Sequence, residues 1–389
     1  MQLITTTDDL VTFCQRLGAT ETGPDAFITV DTEFMREQTF WSQLCLIQVA
    51  GSEEAALIDP LAPGLDLTPF LDLLYAAAPL KVLHAARQDL EIFYNMTGQV
   101  PQAIFDTQAA ALVLGFGESV AYETLVRQFT HHKLDKGQRF TDWSVRPLTD
   151  AQIRYALDDV VPLRLVYQSM LRLLRQKQRE TWFDTELDIL KRATTYALHP
   201  ENAWTRLKVG NRPPRILARI QALAEARERE AQAQNKPRGR ILKDEALIEL
   251  ALHGVDTPES LKQNSRLLRR LAGVKVPSFT FMAIAAADAL GENQLPAVPG
   301  RPAQLRVSNA VMEILKLWLR TCSGRLGVVE RLIATSHDLE LLAADGPNAA
   351  THVLEGWRYD VFGREALQLI QGDVAMTVKG GKVTLVELS

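Results

Sequence analysis

The run Phe27 to Phe34, FITVDTEF, is β-prone and mostly apolar until it ends on two carboxylates, Asp31 and Glu33, with one threonine between them. In an extended strand residues i and i+2 share a face, about 7 Å apart, so the two acids stand side by side. Left unpaired they repel, and at least one pKa rises; a divalent cation between them turns the repulsion into coordination. Two more β-prone runs, SQLCLIQVA and AALIDP, follow across turn-rich segments. Together the three predict a compact meander at the start of a mixed sheet.

Around this meander the pattern changes to helices. TTTDDLVTFCQRL opens like a capped helix, with Thr7 or a neighbour as N-cap and Leu10, Phe13 and Leu17 at helical spacing. LDLTPFLDLLYAAA reads as a helix, KVLHA as a buried strand, RQDLEIFYNM as another helix, and Phe105 to about Leu198 as mainly helical. Pro200, Pro213 and Pro214 punctuate one polar stretch, and Pro296, Pro299 and Pro302 a second. The helical module between them is followed by a similar order of helices, which predicts a diverged tandem pair of small helical domains. VAMTVKGGKVTLVEL, alternating on both sides of Gly380 and Gly381, predicts a β-hairpin.

With 389 residues, 47% hydrophobic and 23% charged, the chain has room for two or three globular domains. The N-terminus has no basic stretch followed by an apolar one, and no window approaches a membrane-spanning length of uninterrupted apolar residues, so neither export nor a membrane span is expected. Cys14, Cys45 and Cys322 are few and far apart, which suits reduced thiols in a cytosol better than a disulfide framework or a zinc site. The net charge of -4 conceals an asymmetry: residues 1–200 carry 17 Lys/Arg against 26 Asp/Glu, whereas residues 201–290 carry 16 against 10. Such a basic middle third is the footprint of a phosphate-backbone contact, or else a solvated helical surface.

Two further features join Asp31 and Glu33. Asp89 falls where a buried strand runs into a helix, near the helix N-terminus, and Tyr155 and Asp159, four apart in YALDD, share one helix face. Zinc spacing, a phosphate-binding loop and a nucleophile turn are all missing, so carboxylates are the ligand set on offer. Carboxylates suit Mg²⁺ and Mn²⁺, and two such ions roughly 4 Å apart clamp the attacking and leaving oxygens of a phosphoryl displacement. Each feature alone has an ordinary alternative: a strand end, an N-terminal helix acid, a helix surface pair.

DTEF, LHAARQDLEIF, FDTQAAALVLG, and RYALDD after DWSVRPLTDAQI resemble, in order and spacing, the exonuclease motifs of the DEDD superfamily in its tyrosine branch. The overall plan resembles the bacterial ribonuclease D family. That resemblance implies an α/β ribonuclease H-like exonuclease domain over residues 1–200 and a first HRDC-like helical domain over 201–290. A Pro-rich linker over 291–304 and a second, diverged HRDC-like domain over 305–389 complete the expected order. It further implies a 3′-to-5′ exoribonuclease that releases 5′-mononucleotides and trims precursor tRNAs and other structured RNAs in the cytoplasm, as a monomer, with no membrane and no ATP involved. By the same resemblance Asp31, Glu33, Asp89 and Asp159 hold two divalent ions, Mg²⁺ or Mn²⁺, with Asp31 bridging them, while Tyr155 orients the attacking water.

Asp158, about 100° around the helix from Asp159, is expected to face elsewhere, and Asp106 either supports the site or caps the helix that follows. Candidate RNA contacts are Phe34 and Met35 just beyond the acids, His84, and the polar-loop cations Lys133, Lys136 and Arg139, followed by Arg212, Arg215, Arg219, Arg238, Arg240 and Lys243 in the basic module. Two alternatives share the same motifs: a DNA-directed 3′-to-5′ exonuclease, and a non-catalytic RNA-binding protein with a decayed nuclease domain.

Overall fold

The computed structural model describes residues 2–135, 137–271, 273–297 and 307–388. Six strands form one mixed sheet: β1 (Gln2–Ile4), β2 (Phe27–Met35), β3 (Gln43–Ala50), β4 (Ala55–Ile58), β5 (Leu80–Leu83) and β6 (Ile104–Asp106). Their spatial order is β1-β4-β3-β2-β5-β6. β2, β3 and β4 are the antiparallel meander, and β1, β5 and β6 add in parallel at the two sides. The parallel pairs require crossovers, and helices supply them. These are α1 (Thr7–Thr20), α2 (Thr68–Tyr75) and α3 (Arg87–Thr97), with α4 (Thr107–Leu114) following β6. Thr6, the neighbour of the expected Thr7, caps α1 by accepting from the Asp9 amide.

After α5 (Tyr122–Thr130) comes α6 (Asp150–Lys177), 28 residues long, which crosses the sheet. A reciprocal Thr149–Gln152 capping box starts α6. Just before it, the Arg146 guanidinium pairs with Asp59 at 2.6 Å and donates to the Cys45 carbonyl, tying the helix entrance to β3 and β4. Inside α6, Pro162 has no N–H to offer the Asp158 carbonyl. Tyr122 supplies the missing donor, its hydroxyl 3.0 Å from that carbonyl. On the sheet side the Thr29 hydroxyl donates to the Val160 carbonyl at 2.8 Å, so α6 is pinned to β2 one residue beyond Asp159.

The helical region divides by core. Residues of α8 (Pro214–Ala233) and the helices that follow it, among them Ile220, Leu223, Leu247, Leu250 and Ile284, enclose a core of their own. The last segment instead continues the main core: Leu315, Trp318, Leu342 and Phe362 belong to the same buried cluster as the sheet and α7 (Glu180–Lys191). Trp357 stacks on Trp182 of α7, centroids 4.1 Å apart. Arg179 donates to the Val113 and Leu326 carbonyls, bridging α4 to the last segment. Gly115, at φ +91°, sits so close to this junction that a Cβ there would lie 2.0 Å from the Gly327 carbonyl oxygen. The chain ends in the hairpin β7 (Val374–Lys379) and β8 (Lys382–Glu387), turning on Gly380 and Gly381, both at positive φ. Residues 298–306, which include most of the Pro-rich stretch, lie outside the described residues.

Candidate active site

β2 outruns β5: the two pair only from Phe27 to Thr29, so Asp31 and Glu33 project where the neighbouring strand has ended and α3 begins. Both face α6, and carboxylate oxygens of Asp31, Glu33 and Asp159 lie within 4.8 Å of one another. Asp89 enters from the first turn of α3 and is buried, its carboxylate accepting from the Thr32 hydroxyl. The entry of α3 is itself held by Asp106. One Asp106 oxygen accepts from the Ala85 amide and the other from the Ala86 amide, each at 3.0 Å, and the carboxylate also caps α4 through the Gln108 amide. Ala85 has φ +57°, a conformation unfavourable for a residue with a Cβ, and these bonds hold it there. The capping reading of Asp106 therefore holds, and the same carboxylate fixes the entry of α3.

Among the described residues, Arg139 is the one cation whose charge acts on these four carboxylates. Burial, then the charges of Asp159, Asp89 and Glu33, push Asp31 well above the usual carboxylate range. Glu33 is pushed up to about 9, by burial and then by Asp159 and Asp89, with Arg139 opposing. Burial dominates at Asp89 and Asp159 as well, each raised to about 7. Gln48, the cross-strand partner of Asp31, is fully buried and neither amide atom has a hydrogen-bond partner. A set of hard oxygen donors, close together and short of positive charge, fits a hard divalent ion.

Beside the acids lies a cavity of about 340 Å³ lined by His84, Tyr122, Arg139, Tyr155, Asp158 and Asp159, among others. Tyr155 packs its ring against Trp143, centroids 6.0 Å apart, and burial followed by the charge of Asp159 drives its hydroxyl pKa far up. Asp158, expected to face away, lines this cavity too. The His84 Nδ1 is 2.9 Å from the Thr107 hydroxyl, and burial lowers its pKa. Tyr122, which sequence reasoning did not single out, has its ring 5.5 Å from His84. Phe140, also missed, is 90% exposed, with the Arg139 guanidinium 5.3 Å from its ring centroid. A lone aromatic in a polar loop carries no signal in the sequence; only its exposure next to Arg139, which lines the cavity, makes it notable.

The other candidate contacts scatter. Phe34 and Met35 are half-buried and pack against two core clusters. Lys133 is exposed, and Lys136 lies outside the described residues. Arg215 and Arg219 serve their own domain: Arg215 donates to the carbonyls of Ala287, Asp288 and Leu290, and Arg219 pairs with Asp288 at 2.6 Å. These bonds satisfy the end of the helix Phe279–Asp288, so neither arginine is an open cation. Arg212 donates to the Val209 carbonyl, and Arg238 pairs with the buried Glu228. Arg240 and Lys243 are exposed.

Comparison with known proteins agrees with this architecture. Residues 1–175 match the family model described as 3′-5′ exonuclease, and residues 216–272 match the HRDC domain. Ribonuclease D of Sphingobium indicum is 43% identical over 385 residues, covering 98% of each chain. The chain belongs to the ribonuclease D family. Ribonuclease D of Nitrobacter hamburgensis is 42% identical across the whole of both chains. The crystal structure of Escherichia coli RNase D, an exoribonuclease involved in structured RNA processing, superposes with a TM-score of 0.77 at 26% identity, covering 95% of this chain and 98% of that one. Membership makes this chain a divalent-metal-dependent 3′-to-5′ exoribonuclease, with an α/β exonuclease domain followed by a helical region that contains an HRDC domain. Among the described residues no helix is long and apolar enough to cross a membrane.

Proposed function

We propose that this chain removes 5′-mononucleotides one at a time from the 3′ ends of precursor tRNAs and other structured RNAs, in the cytosol and as a monomer. Asp31, Glu33, Asp89 and Asp159 are the ligands of two ions, Mg²⁺ or Mn²⁺. The convergence of the Asp31, Glu33 and Asp159 oxygens within 4.8 Å, with buried Asp89 beside them, carries this reading. When bound, the ions supply positive charge to the phosphodiester oxygens and acidify the attacking water.

The rest is done by side chains. Glu33 and Asp159 come from different elements, β2 and α6, and would hold the ions beside which the scissile phosphate binds. Tyr155 keeps its proton, since its pKa lies far above neutrality, and so orients the water by a hydrogen bond and does not deprotonate it. Water adds to phosphorus as the bond to the 3′-oxygen of the preceding nucleotide breaks; that oxygen takes up a proton and the terminal nucleotide leaves as its 5′-monophosphate. Arg139 lines the cavity and the exposed Phe140 follows it in the loop; they meet the departing nucleotide, phosphate and base respectively.

Residues 1–200 do the chemistry, and the basic module 201–290 holds the RNA and feeds its 3′ end inward; the linker 291–304 and the diverged HRDC-like 305–389 complete the order. Arg240 and Lys243 of the basic module have exposed side chains for phosphate, as has Lys133 of the polar loop. The test is incubation of purified protein with 3′-extended precursor tRNA, with and without chelator, and identification of the product. Chelator-sensitive release of 5′-mononucleotides, lost in Asp31→Asn and Asp159→Asn, is expected. Trimming that survives either substitution would overturn the site.

A further inference from the structure

On the far side of α3 from the carboxylates, a cleft of about 280 Å³ lies between the exonuclease domain and the first helical domain. Arg36 and Arg87 line it from the exonuclease side, Arg206 and Arg238 from the helical side. We propose that this composite cleft grips the sugar–phosphate backbone of the single-stranded RNA upstream of the nucleotide being removed. The inference rests on the exoribonuclease reading above and adds where the strand is held.

The cleft is rich in positive charge. Four guanidiniums meet two carboxylates: Glu91, which pairs with Arg36 at 3.1 Å, and the buried Glu228 behind the cleft, which pairs with both Arg238 and Arg206. Arg87 is exposed and has no hydrogen-bond or ion-pair partner among the described residues. The side chains of Arg36 and Arg206 keep 44% and 54% of their surface in solvent. Converging cations with so little compensation attract a polyanion, and phosphates that displace their counterions are the natural occupants.

The cleft also lies close to the carboxylates. Arg36 directly follows the last residue of β2, three positions after Glu33 and so within about 10 Å of it along the chain, and Arg87 lies two residues before Asp89. A phosphate seated here is therefore a short step along the strand from the scissile bond. Half-buried Trp41 lines the same cleft and offers a ring face to a base, which needs no particular sequence.

Finally, the cleft is assembled. The Asn235 side-chain oxygen, at the end of α8, accepts from the backbone amides of Phe40 and Trp41, both at 3.0 Å. Asn235 adopts φ +46° to do so, and the Arg238 guanidinium lies 4.5 Å from the Phe40 ring centroid. The loop after β2 is thus latched onto the helical domain, and each domain alone carries only half of the cations.

The test follows KM against the length of a single-stranded 3′ tail. For the wild type, KM falls at least about tenfold between a ribodinucleotide and a twelve-nucleotide tail as the strand reaches the cleft, and each cation removed lowers the salt slope of RNA binding by about one. In Arg36→Ala/Arg206→Ala this length dependence collapses and the salt slope drops by about two, with kcat on the long tail nearly kept. A retained length dependence and an unchanged salt slope would overturn the proposal. Mn²⁺-dependent thermal stabilisation reports whether the double variant is folded; should it fail, Arg206→Ala, altering one exposed side chain, gives the same readout at half the slope change. A wild type without chelator-sensitive trimming would refute the exoribonuclease reading itself, a separate outcome.

Discussion

Replacing Asp89 by Asn removes a buried negative charge while leaving an oxygen to accept the Thr32 hydroxyl. An unfolded aspartate releases its proton near pH ~4, whereas Asp89 in the folded, metal-free protein holds it to about 7. Between those values the folded state binds the extra proton, so the stability of the wild type falls as pH rises through this window and stays low above it. Three units at ~1.4 kcal/mol each amount to about 4 kcal/mol. Part of that is repulsion shared with neighbours that titrate together, which leaves about 2–4 kcal/mol for the single substitution. In chelator at about pH 8, Asp89→Asn is therefore more stable than the wild type, by ~4 °C or more in Tm for a domain of this size, and near pH 4 the difference vanishes. Mn²⁺ at about a thousand times its Kd reverses the order, since it adds about 4.1 kcal/mol to the wild type, no less than the variant's advantage, and the variant has lost a donor. Scanning fluorimetry across pH, with chelator or Mn²⁺, reads all of this. An Asp89→Asn protein that is less stable than wild type at about pH 8 in chelator would refute the view that the carboxylates are strained without a cation.

Other perturbations separate chemistry from binding. Tyr155→Phe keeps the ring against Trp143 and loses the hydroxyl; single-turnover rates should fall by about 10²-fold or more while Mn²⁺ stabilisation persists. Phe140→Ala, at a 90% exposed position, should leave Tm within about 1–2 °C and raise KM for RNA by about tenfold, the worth of one stacked base. Asn235→Ala strips the acceptor from the amides of Phe40 and Trp41, at a cost of about 1–3 kcal/mol, and limited proteolysis should then cut within residues 36–42 faster.

What the sequence made legible was local. Asp31 and Glu33 share a strand face because the side-chain period is two, and Tyr155 and Asp159 share a helix face because four residues nearly complete a turn. No local rule says that these faces meet; the structure brings them together by ending β5 early and laying α6 across β2. Asp158 shows the limit. A 100° rotation carries it off the Asp159 face, yet the cavity wraps far enough around α6 to reach it. Pro162 reads as a helix breaker, and α6 runs through it because Tyr122, forty residues earlier, supplies a donor to Asp158. Arg215 and Arg219 counted as open cations in a charge total, but a total cannot see Asp288 or the carbonyls that occupy them. β1 and β6, three residues each, are too short for a periodic signal, and tertiary pairing alone makes them strands.

The stacked tryptophans Trp182 and Trp357 carry an implication for synthesis. A polypeptide emerging N-terminus first presents its acidic catalytic half long before Trp357 exists to cover α7, so that half stays incompletely sealed until translation is nearly finished. Prematurely terminated products accordingly bare Trp182, a greasy flag by which quality control can recognise a fragment that lacks its last segment.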